Sequence, residues 1–500
     1  MKIDQFPEYI RPYMIPSPEG RMSYKCLGCD KEFGIDRLLY TCPGCGSVLM
    51  LDDNNFSRFT DIKGDLWRDI FDYRRMLNSQ PLKGIFRYYE FIAPVIPLDQ
   101  IIYLGEGHTP MVKANERLKE LAGADFFFKD DGMNPSASFK DRGMACALSF
   151  INHFAEEQKI DKILAICAST GDTSASAALY SSYMGDFLKS AVLLPHGKVT
   201  AQQLAQPLGS GARVLEIPGV FDDCMKVVES LAENYHVALL NSKNSWRILG
   251  QESFAYEIAQ DFDYRVKDKA VVLPIGNAGN ITAVMNGFLK FYKAGIIFHL
   301  PKIIGVQSEH ADPVYRYYLE KDPEKRKFIP VNVKSSVAQA AMIGNPVSIP
   351  RVIRIADEYN KFAGETKVFV VQVSEQEIMD SMIIANRNGN IACTQGGESL
   401  AGLKKAVSEG IIRKDEIGVI DSTAHMLKFL SFQEMYFNDS FDPVFNVKPR
   451  QELKNSPVLI RPESLEKYPE PGKPLEGEDM QIYIREMSSE IATMLGLEKR

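Results

Sequence analysis

From about residue 126 onward the chain alternates short apolar runs with longer stretches whose apolar positions recur every three or four residues. The runs at 126–129, 163–167, 191–194, 213–217, 237–240, 271–275, 303–306 and 417–420 predict strands. The stretches 141–157, 221–235, 247–260 and 279–294, with another beginning at Thr173, predict helices. In the first of them Met144, Leu148 and Ile151 share one face. Repeated β-α alternation of this kind predicts an α/β fold of twisted, mostly parallel sheets covered by helices on both sides. Ahead of this region, 59–78 carries a helical period, and the rest of 54–97 reads as connection. After about residue 438 the pattern gives way to a stretch rich in Pro and charge, which predicts an extended arm ending in an amphipathic helix near 479–495.

Ligands in such sheets sit beyond the carboxyl ends of the strands, against helix N-termini. That rule directs attention to the strand-to-helix turns. The segment NPSASFKDRG, 134–143, holds Lys140 where a turn gives way to a helix. A lone lysine there is ordinarily a solvated surface group, but the helix dipole disfavours its charge, and a free amine attacks carbonyls to form a Schiff base. ASTGDTSASA, 168–177, crowds Ser169, Thr170, Asp172, Thr173 and Ser174 around Gly171. Capping a helix needs one such residue, so five point to an anionic ligand. PIGNAGN, 274–280, has glycines on both sides of Ala278, so its backbone can aim several N–H groups at one phosphate. DSTAHML, 421–427, offers the Ser422 and Thr423 hydroxyls at another helix start, where a plain cap would serve equally. Each turn is ambiguous separately. A reactive lysine, a phosphate cradle and a hydroxyl-rich anion loop together describe a pyridoxal-phosphate site.

The length of 500 residues predicts about three domains, and 45% hydrophobic with 25% charged residues fits a globular chain with a large core. A net charge of -7 argues against a nucleic-acid binder. No apolar run is long enough to span a bilayer, the N-terminus lacks a secretory pattern, and a cytoplasmic location is expected. Cys26 and Cys29, then Cys42 and Cys45, form two CxxC pairs separated by 12 residues. That spacing predicts a zinc ribbon, whose ion would staple a module too small for its own core; a degenerate ribbon that folds without metal is the alternative. No basic or aromatic cluster marks it as a nucleic-acid reader. Cys146, Cys167, Cys224 and Cys393 stand singly in apolar stretches and read as small buried hydrophobes.

Over roughly 100–430 the chain resembles the threonine synthases, a family within the fold-type II pyridoxal-phosphate enzymes. YLGEGHTP, 103–110, is similar to a family motif, with His108 where Asn is commoner. By resemblance Lys140 is the Schiff-base lysine with Phe139 beside it, and the 169–173 loop embraces substrate and the cofactor O3′. Asp172 stands where many relatives outside the threonine synthases have Asn. NSKNSWRILGQE, 241–252, resembles the stretch that holds the substrate phosphate, which implicates Asn241, Ser242 and Arg247 with Ser169, Thr170 and Thr173. An arginine fork suits a phosphate because it binds two oxygens at once. GNAGN implicates Gly276, Asn277, Ala278, Gly279 and Asn280 in holding the cofactor phosphate. STAHMLKF places Thr423 at the pyridine nitrogen, with Ala424 and Met426 replacing two family glycines. AAMIGNP, 340–346, and CTQGGESLAGL, 393–403, are further family-like segments without an assigned role. Some threonine synthases carry an N-terminal four-cysteine ribbon.

The resemblance implies a two-lobed fold like that of the tryptophan synthase β chain, with a small N-terminal ribbon. Its expected parts are 1–53 as ribbon module, 54–437 as catalytic region with a smaller lobe at 141–240, and 438–500 as extension. It implies conversion of O-phospho-L-homoserine and water to L-threonine and phosphate, by γ-elimination and then β-addition of water. Lys140 would move the Cα and Cβ protons. The partners are a small-molecule substrate, no nucleic acid and no membrane, and a homodimer is compatible. Cysteate synthase and threonine dehydratase are the rival readings within the class. A ribbon scaffold with an inert Lys140 is the rival outside it.

Overall fold

The computed structural model describes residues 1–169, 171–196, 201–219 and 221–498. Its strands are β1 (Met22–Cys26), β2 (Glu32–Gly34), β3 (Leu49–Asp53), β4 (Met111–Lys113), β5 (Phe126–Lys129), β6 (Ile163–Ala168), β7 (Leu188–Pro195), β8 (Arg213–Ile217), β9 (Val237–Leu239), β10 (Lys269–Pro274), β11 (Lys302–Ser308), β12 (Val368–Val373) and β13 (Ile417–Asp421). They form three sheets, in the orders β2-β1-β3, β12-β11-β10-β13-β5-β4 and β8-β7-β6-β9. The small N-terminal sheet is antiparallel, with Cys26 directly opposite Leu49. The other two are parallel except where the edge strand β4 runs against β5. Every residue of β10 and β11 is buried, as expected of central strands covered on both faces.

The helix expected at 141–157 spans Lys140–Gln158. The one expected at 247–260 is two helices, Ser245–Gln251 and Ser253–Asp261. Between them the Glu252 N–H bonds the Leu249 carbonyl, an i→i−3 bond that tightens one turn, and the Ser253 hydroxyl bonds back to Gly250. Helices Lys140–Gln158 and Ser245–Gln251 touch backbone to backbone. A Cβ at Gly250 would lie 2.2 Å from the Arg142 carbonyl oxygen, and one at Gly143 would lie 2.7 Å from that of Arg247. This contact brings residue 247 to the side of residue 140.

The segment read as connection within 54–97 is core instead. Residues 84–89 are all buried, and Phe71, Phe91 and Tyr256 stack on or against Phe291 with ring centroids 5.7, 5.3 and 4.2 Å away. The run IFRYYEFI lacks a clean 3.6 period because part of it is a 3₁₀ helix, Gly84–Tyr88. Residues Met1–Pro449 form one compact unit and Arg450–Arg500 another. The second carries the expected terminal helix, Gly477–Leu495, with no buried residue. Among the described residues no helix is long and apolar enough to cross a membrane.

Candidate active site

Lys140 opens its helix at the end of a segment bound to the turn after β13. The Phe139 N–H donates to the Thr423 carbonyl at 2.9 Å, and the His425 N–H donates to that of Ala137 at 3.0 Å. Lys140 and Thr423, 283 residues apart in sequence, thus share one backbone clamp. Lys140 as a whole residue is half-buried, and its amine lies 4.1 Å from the centroid of the Phe139 ring. Burial, reinforced by the nearby Arg247 guanidinium, pulls the amine down to about 8 against the opposing pull of Asp172. It is a nucleophile near neutral pH.

After β10 the turn Gly276–Asn280 swings Ala278 into the left-handed region at φ 61° before the helix Gly279–Lys293 begins. The first turn of that helix presents N–H groups that no intrahelical carbonyl takes, which suits a phosphate. A Cβ on Gly276 would lie 3.1 Å from the Ala340 carbonyl oxygen, so glycine lets the 340–348 segment close over the turn. The Val347 and Ser348 N–H groups, just after AAMIGNP, bond Asn277 at 3.4 and 3.2 Å and hold that segment over the turn. Asn280 turns its side-chain amide to Asp421 at 2.8 Å. Burial, with Asp131 nearby, holds that Asp421 carboxyl well above the usual carboxylate range. Its second oxygen has no hydrogen-bond partner.

The third wall is the turn after β6. Ser169 accepts from the Gly171 N–H at 3.3 Å, Asp172 opens the next helix, and Thr173 is half-buried in its first turn. Thr170 lies outside the described residues. Asp172 pairs with Lys428 at 2.9 Å, and Lys428 also bonds the Ser136 carbonyl. The Asn241 side chain is committed to the backbone of Ala168, accepting at 3.1 Å and donating at 2.6 Å. It therefore pins the end of β6 to the loop after β9. Ser242 is half-buried. Arg247 is 2% exposed, donates from Nη1 to the Leu240 carbonyl at 2.9 Å and leaves Nε without a partner. Among the described residues no carboxylate pairs with it. Burial pulls it down to about 10, which leaves it charged at neutral pH. A buried, unmatched cation beside the reactive lysine is built to receive an anion.

Sequence reasoning missed the groups that hold this arrangement together. Arg142, fully buried, bonds Asp131 at 2.7 and 2.8 Å and Glu257 at 2.6 and 2.9 Å. Glu106 accepts from Tyr180 at 2.7 Å, and burial pushes it up to about 8. Lone charges inside apolar runs, such as Glu257 in FAYEIA and Arg351 in SIPRVIRI, were the signal available. The four N-terminal cysteines converge as expected, with sulfur atoms all within 4.8 Å of one another. Cys26–Cys45 and Cys29–Cys42 are 3.4 and 3.7 Å apart, and the Gly28 and Gly44 N–H groups point at sulfur. Four thiols with that spacing fit one tetrahedral ion. Cys146, Cys167, Cys224 and Cys393 are all buried.

Comparison with known proteins agrees with this geometry. The family described as pyridoxal-phosphate dependent enzyme matches residues 102–422. The threonine synthase of Methanocaldococcus jannaschii is 36% identical over 415 residues, covering 81% of this chain and 93% of that protein. Threonine synthase 2, chloroplastic, of Arabidopsis thaliana is 32% identical, covering 86% of this chain and 80% of that protein. Among solved structures, threonine synthase from Escherichia coli superposes with a TM-score of 0.60 at 18% identity, covering 83% of this chain and 91% of that one. That likeness carries the fold, two-lobed and of type II. The chain, whose candidate site is formed by Lys140, the Gly276–Asn280 turn and the buried Arg247, belongs to the threonine synthase family of pyridoxal-phosphate-dependent enzymes.

Proposed function

We propose that this protein converts O-phospho-L-homoserine and water to L-threonine and phosphate, using pyridoxal 5′-phosphate, with a structural Zn²⁺ on Cys26, Cys29, Cys42 and Cys45. The observation that carries the substrate assignment is Arg247, a buried cation with an unpartnered Nε and, among the described residues, no carboxylate paired with it. A substrate bearing a phosphate supplies the missing charge to Arg247 in addition to its own α-carboxylate. The residues present fit the cofactor: the Gly276–Asn280 turn would offer N–H groups to its phosphate, Phe139 and Asp172 would border it, and Lys140 would meet its aldehyde. When bound, the cofactor supplies an electron sink for the negative charge that develops at the substrate Cα.

The chain's own residues do the rest. Lys140, held down to about 8, can take the Cα proton and later move the Cβ proton without a large penalty in either direction. Thr423 would offer the ring nitrogen a neutral hydroxyl, which lies 3.5 Å from the Cys393 sulfur. Ser242, Arg247 and the 169–173 turn, with Asn241 fixing that turn to β9, would hold the departing phosphate and keep water from Cγ. In this reading 1–53 is the ribbon, 54–437 the catalytic region with its smaller lobe at 141–240, and 438–500 an extension. Phosphate release from O-phospho-L-homoserine is compared with that from O-phospho-L-serine. Turnover of the first to threonine is expected, and preference for the second overturns the assignment.

A further inference from the structure

The N-terminal ribbon and the anion turn are joined by buried hydrogen bonds. Cys26 is paired in register with Leu49, so whatever fixes the cysteine knuckle fixes the Leu49 carbonyl. That carbonyl accepts from Ser245 Oγ at 2.8 Å, from Arg351 Nε at 2.9 Å and from Arg351 Nη2 at 2.5 Å. The same Arg351 guanidinium bonds the Ser242 carbonyl at 2.9 Å and the Lys243 carbonyl at 3.0 Å. Arg351 is wholly buried and, among the described residues, serves carbonyls and hydroxyls with no carboxylate in the set. Its planar fork therefore locks two segments to each other: β3 of the ribbon, and the turn between Asn241 and Arg247.

Two further bonds flank this lock, each from a tyrosine two residues before a cysteine of the ribbon. Trp246 Nε1, next to Arg247, donates to the Tyr24 hydroxyl at 3.0 Å. The Leu239 N–H, at the end of β9, donates to the Tyr40 hydroxyl at 3.0 Å. Trp246 also stacks on Phe150 of the lysine helix with ring centroids 3.7 Å apart. The turn that carries Asn241, Ser242 and Arg247 is thus tied to the ribbon at both ends, through Leu239 before it and Ser245 and Trp246 within it.

We propose that the metal-bound ribbon is a positioning element of the substrate-phosphate subsite: the ion fixes Tyr24, Tyr40 and the Leu49 carbonyl, and Arg351 transmits that register to the 241–247 turn. This rests on the reading of Arg247 as the phosphate-binding cation. Positional errors of about 1 Å in such a fork are enough to lose bidentate recognition. A packed chain of buried contacts is the physical route by which one site sets the other. Neither Arg351 nor the ribbon touches the reacting atoms, so substrate affinity should move while saturated turnover holds.

The test uses the full-length, cofactor-loaded protein and inorganic phosphate as probe, with binding read by calorimetry. Zinc removal by chelation, and separately Arg351→Met with zinc retained, should each weaken phosphate binding about tenfold or more and raise KM with little change in kcat. Cofactor absorbance should stay unchanged, and zinc should restore the chelated protein. Unchanged phosphate affinity in both overturns the positioning role. Parallel loss of cofactor overturns it too, because the damage would then be general. Arg247→Gln separates the underlying assignment: if it leaves phosphate affinity intact, the subsite lies elsewhere.

Discussion

Burial and the nearby Arg247 guanidinium lower the cost to Lys140 of losing its proton. Cofactor-free protein should therefore take up pyridoxal phosphate with a pH midpoint near 8 rather than 10.5, since the protonated amine below the midpoint is no nucleophile. Borohydride reduction and peptide mapping should place the label at residue 140. A midpoint near 10.5, or a label on another lysine, contradicts this. His108 is a second residue-scale case. It stands at φ 52°, accepts from Arg87 at Nδ1 at 3.2 Å, and donates its N–H to Glu257 at 2.6 Å. His108→Asn, which tolerates that backbone and keeps an acceptor, should leave stability nearly unchanged. His108→Val should cost about 1–3 kcal/mol in urea unfolding, and equal stability of the two variants would refute the strain argument. Lys140, the cysteine pairs and the glycine turn were legible in the sequence because each is a local pattern. Arg142 was not: its partner Glu257 lies 115 residues away, and only folding brings them to 2.6 Å.

Among the elements, the helix Lys140–Gln158 is fixed at its start by the Arg142 ion cluster. Burial alone would raise Glu257, yet Arg142 and then Lys129 outweigh it and hold the carboxyl well below its usual range. Arg142→Met leaves Asp131 and Glu257 with a buried charge each and should destabilise the protein by about 3–5 kcal/mol. Urea denaturation checks this, and a loss under about 1 kcal/mol would show the cluster to be structurally idle. The strand pattern told most of the α/β order, since 126–129 and 213–217 are strands as expected and β6, β10, β11 and β13 differ only at their ends. Element junctions were harder. The break at Glu252 is set by hydrogen bonds that periodicity does not encode, including the Asn286 and Lys290 bonds to that carboxylate at 2.6 and 2.7 Å. The short edge strand β4 and the 3₁₀ core segment Gly84–Tyr88 escaped for the same reason: neither has enough length to show a period.

For the molecule as a whole, the buried carboxyls set an unusual pH profile. Glu106, raised to about 8 by burial, and Asp141 and Asp421, also raised by burial, bind protons more tightly folded than unfolded. The contribution of Glu106 is complete below the ordinary carboxylate range and is lost as pH climbs toward 8, and Asp141 and Asp421 lose theirs in the same direction. Glu257, held low, contributes fully above 4.5 and loses that contribution as pH falls. Cofactor-free protein should therefore have its highest Tm on the acid side of neutrality, near 5, and soften toward 8. A Tm that rises steadily over that interval would contradict the profile. The sequence by itself determined the β-α alternation and the four-cysteine spacing, and it singled out Lys140 and the Gly276–Asn280 turn, because each depends on residues within one or two turns of chain. Only the tertiary structure decided that Arg247 stands unpaired beside Lys140, that Arg351 ties the ribbon to the anion turn, and that Asn241 serves backbone. Those outcomes depend on which buried donors find acceptors, and that is settled by packing between segments from 73 to 302 residues apart.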